Sequence, residues 1–250
     1  MISNNFLINS MSPEDADALE RHVDNVDLTY RQVLVRSRRR PDYTYFPERC
    51  LITIFAFSTL RDQADVSTIG HEGCTAVELA LGCERPHHDA IVVIPGRAKR
   101  IPVDTFYERM RSSPPLRALL LRYAGYSLVS ARQTALANAR GSIVERLARW
   151  ILAASDGIGS PEVRVTHEDL STSLGVRRAG VTVALRGLAD AGMIDLSRGR
   201  IEVLDATALI KSARGFYAQP DDFGDRPAMR HEDEHKNRCL EQSSSRLGRV

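Results

Sequence analysis

Cysteine, long apolar runs, strong net charge and the short signatures of common enzymes are all scarce or missing in this 250-residue chain. Its four cysteines, Cys50, Cys74, Cys83 and Cys239, form no C-x-x-C pair and no dense framework, which excludes a disulfide scaffold. No apolar stretch approaches the ~20 residues that a membrane-spanning helix needs. The opening MISNNFLINSMSPED has neither the basic nor the apolar segment of a secretory signal, so a cytoplasmic location with reduced thiols is expected. Lys and Arg number 34 against 32 Asp and Glu, a formal charge of +2. Bulk charge therefore gives no argument for a polyanionic partner, and any basic footprint must come from placement. No Gly-rich phosphate loop, G-x-S-x-G elbow or H-E-x-x-H occurs, so the chain does not read as an enzyme and no cofactor is expected.

What the chain does have is concentrated between Thr166 and Val203, in THEDLSTSLGVRRAGVTVALRGLADAGMIDLSRGRIEV. Thr166 is a good N-cap with Asp169 three residues on, a variant of the capping box. Leu170 and Leu174 lie one turn apart on one face, and Gly175 has the freedom to end that helix in a tight turn. Arg177, Arg178, Ala179 and Gly180 open a second helix whose apolar stripe is Val181, Ala184, Leu185 and Leu188, an i, i+3, i+4, i+7 pattern. Met193 to Leu196, a Ser-Arg-Gly turn and Arg200 to Val203 then read as a hairpin. Two helices joined by a short Gly-containing turn, followed by a hairpin wing, form the unit that sets its second helix in a DNA major groove. Arg178 is the expected base reader, with Arg177, Ala179 and Thr182 on the same surface, because Arg pairs bidentately with guanine. Thr166, His167, Arg186, Arg198 and Arg200 are the expected phosphate contacts. The plainer reading is an αα-hairpin that merely packs on a core.

Upstream the chain divides by texture. A helix is expected from Pro13 to Val23, then short strands at Val33–Val35, Tyr43–Phe46, Leu51–Phe57, Val66–Ile69, Ala90–Ile94 and Ala98–Val103, separated by turn residues that include Arg61-Asp62. Many short strands at close spacing predict an antiparallel barrel or roll over residues 1–112. Asp104 is expected to cap a short helix. Pro114-Pro115 opens a long one, spanning 113–139, in which Leu116, Leu120, Tyr123, Ser127, Ser130, Thr134 and Ala137 follow near-heptad spacing and predict a homodimer seam. Packing of that seam on the roll is the alternative. A break is expected at Asn138–Gly141, and Ile143, Leu147, Trp150 and Ile151 then form the apolar face of an anchoring helix within a winged domain at 140–217. From 218 to 250 the composition turns polar and aperiodic, the signature of a disordered tail. In it His231, His235 and Cys239 imitate a helical metal spacing. His71, Cys74, Cys83, His87 and His88 also fall close together, as zinc or copper ligands do, yet match no standard finger; ordinary buried thiols and surface histidines explain them equally.

This order of parts resembles the cyclic-AMP receptor protein and fumarate-nitrate regulator (Crp/Fnr) family of bacterial transcription factors. The resemblance covers about residues 10–217. QVLVRSRRRPDYTYFPERCLITI is similar to the family's opening roll strands, and IGHEGCTAVELALG to the turn and short helix that follow. SIVERLARWILAASDGIGS and VTHEDLSTSLGVRRAGVTVALRGLADAGMI resemble its hinge-side helix and reading head. The resemblance implies an α+β protein, with a cyclic-nucleotide-binding-like β-roll, a dimerisation helix and a winged helix-turn-helix. It further implies a homodimer on double-stranded DNA, with RNA polymerase as a further partner.

Where the family's nucleotide binders carry an Arg-Ser or Arg-Thr pair, this chain has GCERPHHDAIVV, so control by cyclic AMP is not expected. The clustered N-terminal cysteines of the iron-sulfur branch are missing. Arg178 matches the family's leading base-reading Arg, but Ala179 stands where a Glu usually follows, so the family's usual operator does not carry over. The alternative function is a small-ligand or metal-sensing interaction module whose reading head is vestigial.

Overall fold

Helices α1 (Phe6–Asn9) and α2 (Pro13–Glu20) lead into the strands of a roll: β1 (Asp24–Leu28), β2 (Val33–Val35), β3 (Tyr43–Pro47), β4 (Leu51–Phe57), β5 (Gln63–Ile69), β6 (Asp89–Ile94) and β7 (Gly96–Pro102). A 3-10 turn at Val77–Leu81 interrupts them. Helices α3 (Val103–Ser112), α4 (Pro114–Arg140) and α5 (Ile143–Ile158) follow, then β8 (Glu162–Val163), α6 (His167–Leu174), α7 (Arg178–Asp190), β9 (Ile194–Ser197), β10 (Arg200–Val203) and α8 (Ala206–Ser212). The computed structural model describes residues 3–57 and 63–217. The Arg61-Asp62 turn and the tail at 218–250, with His231, His235 and Cys239, lie outside the described residues. No helix among the described residues is long and apolar enough to cross a membrane.

The roll is two antiparallel sheets, ordered β2-β6-β4-β5 and β1-β7-β3, facing each other across Leu28, Val35, Tyr45, Cys50, Ile52, Ile69, Val92 and Ala98. Alternation along β4 explains why its sequence is apolar at nearly every position. Ile52 points into the roll, whereas Leu51 and Phe55 point outward into the core of the C-terminal head. On β6 Val92 faces inward, with Ile91 and Val93 turned to the head. Leu147, Trp150 and Ile151 of α5 share that core, so roll and head are packed together rather than tethered.

Backbone contact reinforces this packing. The His71 amide donates to the Gly157 carbonyl at 2.7 Å. A Cβ on Gly70 would lie 2.3 Å from the Gly157 Cα, so only glycine fits.

Several boundaries differ from the sequence reading. Strand β1 was not expected: only Val26 and Leu28 of DNVDL turn inward, and pairing with β7 supplies the rest. Helix α3 begins a residue before Asp104, which lies in the first turn and pairs with Arg40 at 2.7 Å instead of capping. Helix α4 runs unbroken through Asn138 and Ala139 and ends at Gly141, where Ser142 caps α5 in a full capping box with Glu145.

One polar group sits inside the seam between roll and head. Asp65 on β5 is buried and accepts from the Trp150 indole at 3.1 Å. Burial pushes its carboxyl from 3.8 up to about 7, opposed by the nearby Arg149 charge and the Trp150 bond. Such a carboxyl keeps its proton in the fold after the unfolded chain has lost it. Its contribution to stability is therefore full below about pH 4 and is lost as pH rises through about 7. Asp65→Asn should flatten that part of the pH profile in urea unfolding measured from acid to mildly alkaline pH. Parallel curves for the two proteins would assign the proton elsewhere.

Candidate nucleic-acid interface

The head is built from its caps. Thr166 Oγ1 accepts from the Asp169 amide and Asp169 Oδ2 accepts from the Thr166 amide, both at 3.2 Å. Gly175 closes α6 at φ +61°, a left-handed geometry that glycine adopts without cost. Arg146 of α5 donates to the Leu174 carbonyl, fixing the carboxyl end of α6 to its neighbour. Three residues after α6, α7 begins. Its Val181, Ala184, Leu185 and Leu188 are buried, as the stripe predicts. Gly180 lets α7 approach α5, since a Cβ there would meet Ile143 at 3.0 Å.

Burying that stripe fixes what faces outward. Arg177, Arg178, Ala179 and Arg186 are exposed, and Val183 is 70% exposed. Sequence reasoning missed Val183, although its position off the apolar stripe was the available signal. An exposed valine on such a helix offers an apolar contact of the kind a thymine methyl accepts. Thr182 is less free than expected, because its hydroxyl donates to the Arg178 carbonyl at 3.1 Å. His167 Nδ1 lies 3.0 Å from the Thr182 hydroxyl oxygen, which brings the start of α6 beside α7.

The cations divide into two kinds. Among the described residues, the side chains of Arg177, Arg178, Arg186 and Arg198 make no ion pair or hydrogen bond, and Arg198 stands exposed at the tip of the wing. Arg200, expected at a phosphate, is engaged within the fold. It pairs with Glu162 at 3.2 Å and Glu202 at 2.9 Å, with Asp195 at 3.9 Å, and so holds β8, β9 and β10 together. Thr166 likewise spends its hydroxyl on Asp169, at 2.5 Å.

The long helix also departs from expectation. Leu116, Leu120, Tyr123 and Thr134 are buried against their own chain; the first three join Phe46, Ile101 and Phe106 in one core. Ser127 bonds Tyr123, and the Ser130 carbonyl and Thr134 hydroxyl accept from Arg149. The expected dimer seam is thus the face that α4 turns to the roll, because the roll supplies enough apolar surface to cover it. A second stripe, Ala118, Leu121, Gly125 and Leu128, is exposed at 3-4 spacing; exposed Arg132 takes the next position, before exposed Ala135 and Leu136.

The suspected ligand cluster is dispersed. His71 bonds the Gly157 carbonyl, Cys74 is buried, Cys83 lies by the Arg85 carbonyl and His88 faces Glu78 at 3.5 Å. Among the described residues no three His, Cys, Asp or Glu side chains converge to hold a metal. Burial pushes the Cys50 thiol up to about 12 and raises that of Cys74 further, so neither offers a thiolate.

Residues 145–212 match the Crp-like helix-turn-helix domain family. A search of curated protein sequences finds no match. Among solved structures, the chain is similar to a protein from Eubacterium rectale described as a transcriptional regulator of the Crp/Fnr family. That match has a TM-score of 0.63 and 15% identity, over 84% of this chain and 99% of the other. FixK2 from Bradyrhizobium japonicum matches at TM-score 0.65 and 12% identity, over 76% and 96%. A Crp-family regulator from Thermus thermophilus matches at 0.61 and 14%, over 76% and 96%. The chain therefore carries a Crp-like helix-turn-helix domain over residues 145–212 and shares the fold of these Crp/Fnr-family structures.

The unpaired and paired arginines give a direct test. Arg178→Ala should cost about 1–3 kcal/mol on a preferred DNA site and relax preference at one base. Arg198→Ala should weaken all sequences alike and reduce the salt slope by about one for each phosphate that the guanidinium neutralises. Arg200→Ala should leave the slope alone and lower the melting temperature of the head. Anisotropy titrations on preferred and random duplexes at several salt concentrations separate the three. An unchanged ratio between duplexes for Arg178→Ala would move base readout to other residues.

Proposed function

We propose that this protein is a cytoplasmic DNA-binding transcription regulator, acting as a homodimer whose two α7 helices read half-sites about one DNA turn apart. The observation that carries this reading is the outward face of α7. Arg178, Val183 and Arg186 are exposed on a helix whose opposite face is buried in packing. The Crp-like domain match supports it. The first experiment is selection of genomic fragments on the purified protein, followed by gel shift. Retention of a common sequence with two related halves is the expected result. Failure to retain any fragment would favour an interaction module with a vestigial head.

We assign pairing to the exposed α4 stripe Ala118, Leu121, Gly125 and Leu128, whose 3-4 spacing is that of a two-helix seam. Leu128→Asp should yield folded monomers by light scattering, since two carboxylates would face each other across the seam. Leu120→Asp should instead destabilise each chain by several kcal/mol, because its carboxylate would be buried within the monomer. A folded Leu128→Asp dimer would place the interface elsewhere.

Cyclic nucleotides are not the expected signal. Arg85 is exposed ahead of Pro86, and the Asp89 carboxylate accepts from the Ser37 amide at 2.7 Å. Tyr123 also packs so tightly on Gly73 that a Cβ there would lie 1.9 Å from its hydroxyl. A cyclic phosphate would lose hydration without gaining a guanidinium partner. Calorimetry with cyclic AMP and cyclic GMP should show no saturable heat; micromolar binding would overturn this reading of the roll.

A further inference from the structure

A chain of contacts runs from the reading helix to a turn of the roll. Thr182 on α7 meets His167, the first residue of α6. Two residues on, Asp169 Oδ1 accepts from the hydroxyl of Tyr30, 139 positions earlier in sequence. Arg31 lies over the Tyr30 ring with its guanidinium carbon 5.2 Å from the centroid, and its Nε donates to the Tyr30 hydroxyl at 3.0 Å. Its Nη2 is 3.7 Å from Asp169, yet the side chain remains 66% exposed.

Tyr30 and Arg31 form the tip of the β1–β2 turn. The turn is held by the Arg31 amide on the Val92 carbonyl at 2.9 Å and the Gln32 amide on Thr29 at 3.1 Å. Arg31 sits there at φ +62°, a conformation that costs a side-chain residue free energy and persists only where its surroundings fix it.

Charge gives this placement a purpose. The start of α6 carries exposed Glu168 beside Asp169, and two carboxylates next to a DNA-reading helix repel phosphates. Tyr30 and Arg31 cover Asp169 from the roll side and set a guanidinium beside it. We propose that Arg31, mounted on Tyr30, is a DNA-backbone contact, so that the roll supplies part of the nucleic-acid surface. The recognised group is a phosphodiester oxygen, which would take the N–H groups of Arg31 that Tyr30 and Asp169 leave free. Such a contact adds affinity without sequence preference.

The inference rests on the DNA-binding reading above, and the test keeps the two apart. Full-length wild type, Arg31→Ala and Arg31→Lys are titrated on a selected duplex and a random duplex across a range of salt. Ala and Lys bear the same left-handed backbone cost as Arg, so strain is constant across the series. Arg31→Ala should weaken both duplexes by the same factor and reduce the log–log salt slope by about one per protomer, and Arg31→Lys should restore the slope. An unchanged slope in Arg31→Ala, whether or not affinity falls, overturns the proposal; if affinity does fall, Arg31 is a brace for the head. A slope that Arg31→Lys fails to restore also overturns it. Wild type that binds neither duplex would instead overturn the DNA-binding reading, and this inference with it.

Discussion

Strands β4 and β6 are buried on both faces, and the remaining architecture depends on this double burial. One face closes the roll around Ile52 and Val92, while the other receives Leu147, Trp150 and Ile151 of α5 through Leu51, Phe55 and Val93. Apolar burial has no direction of its own, so the orientation of the head comes from the polar and backbone contacts at the edges of this patch. The Gly70–Gly157 approach, the Trp150–Asp65 bond and the Tyr30–Asp169 contact each fix a different edge. They lie on separate strands or turns of the roll. Together they define one orientation.

How much of this was legible depended on how local the cause was. The helix-turn-helix could be read because its determinants sit within a few residues of where they act: Thr166 and Asp169 cap, Gly175 turns, and Val181 to Leu188 pack. Most roll strands were legible for the same reason. The apolar runs of β4 and β6 marked them as strands, but not which neighbour covered their outer face. The α4 seam misled because periodicity says that a face is buried without saying by what. Leu116, Leu120 and Tyr123 are covered by the roll, and the free stripe around Leu121 and Leu128 has weaker apolar content. The internal ion pairs of Arg200 were not legible because its partners come from three strands, one of them 38 residues away. Nothing in the sequence announces the approach of Tyr30 to Asp169.

Composition concealed the site as much as it framed it. A net charge of +2 averages over arginines in opposite situations. Arg200 and Arg109 are matched by carboxylates within the fold, with most of each side chain covered, and add little field outside it. Among the described residues, Arg178, Arg186 and Arg198 have no such match, and all three are exposed. For a surface that meets a polyanion, the count of unmatched cations on one side matters more than the total.

Arg149 shows what close packing of three parts entails. From α5 its guanidinium reaches Thr134 at 2.7 Å and the Ser130 carbonyl on α4, and the carbonyl of Phe216 beyond α8, while its charge acts on Asp65 in β5. The break between α4 and α5 at Gly141 is thus spanned by a side chain that ties the segments on both sides of it. A disturbance at any one of these partners reaches the others through a single shared group. Substitutions among them should therefore be strongly coupled, with energies that do not add, and the long helix, the head and the outer strand should loosen as a unit rather than in turn.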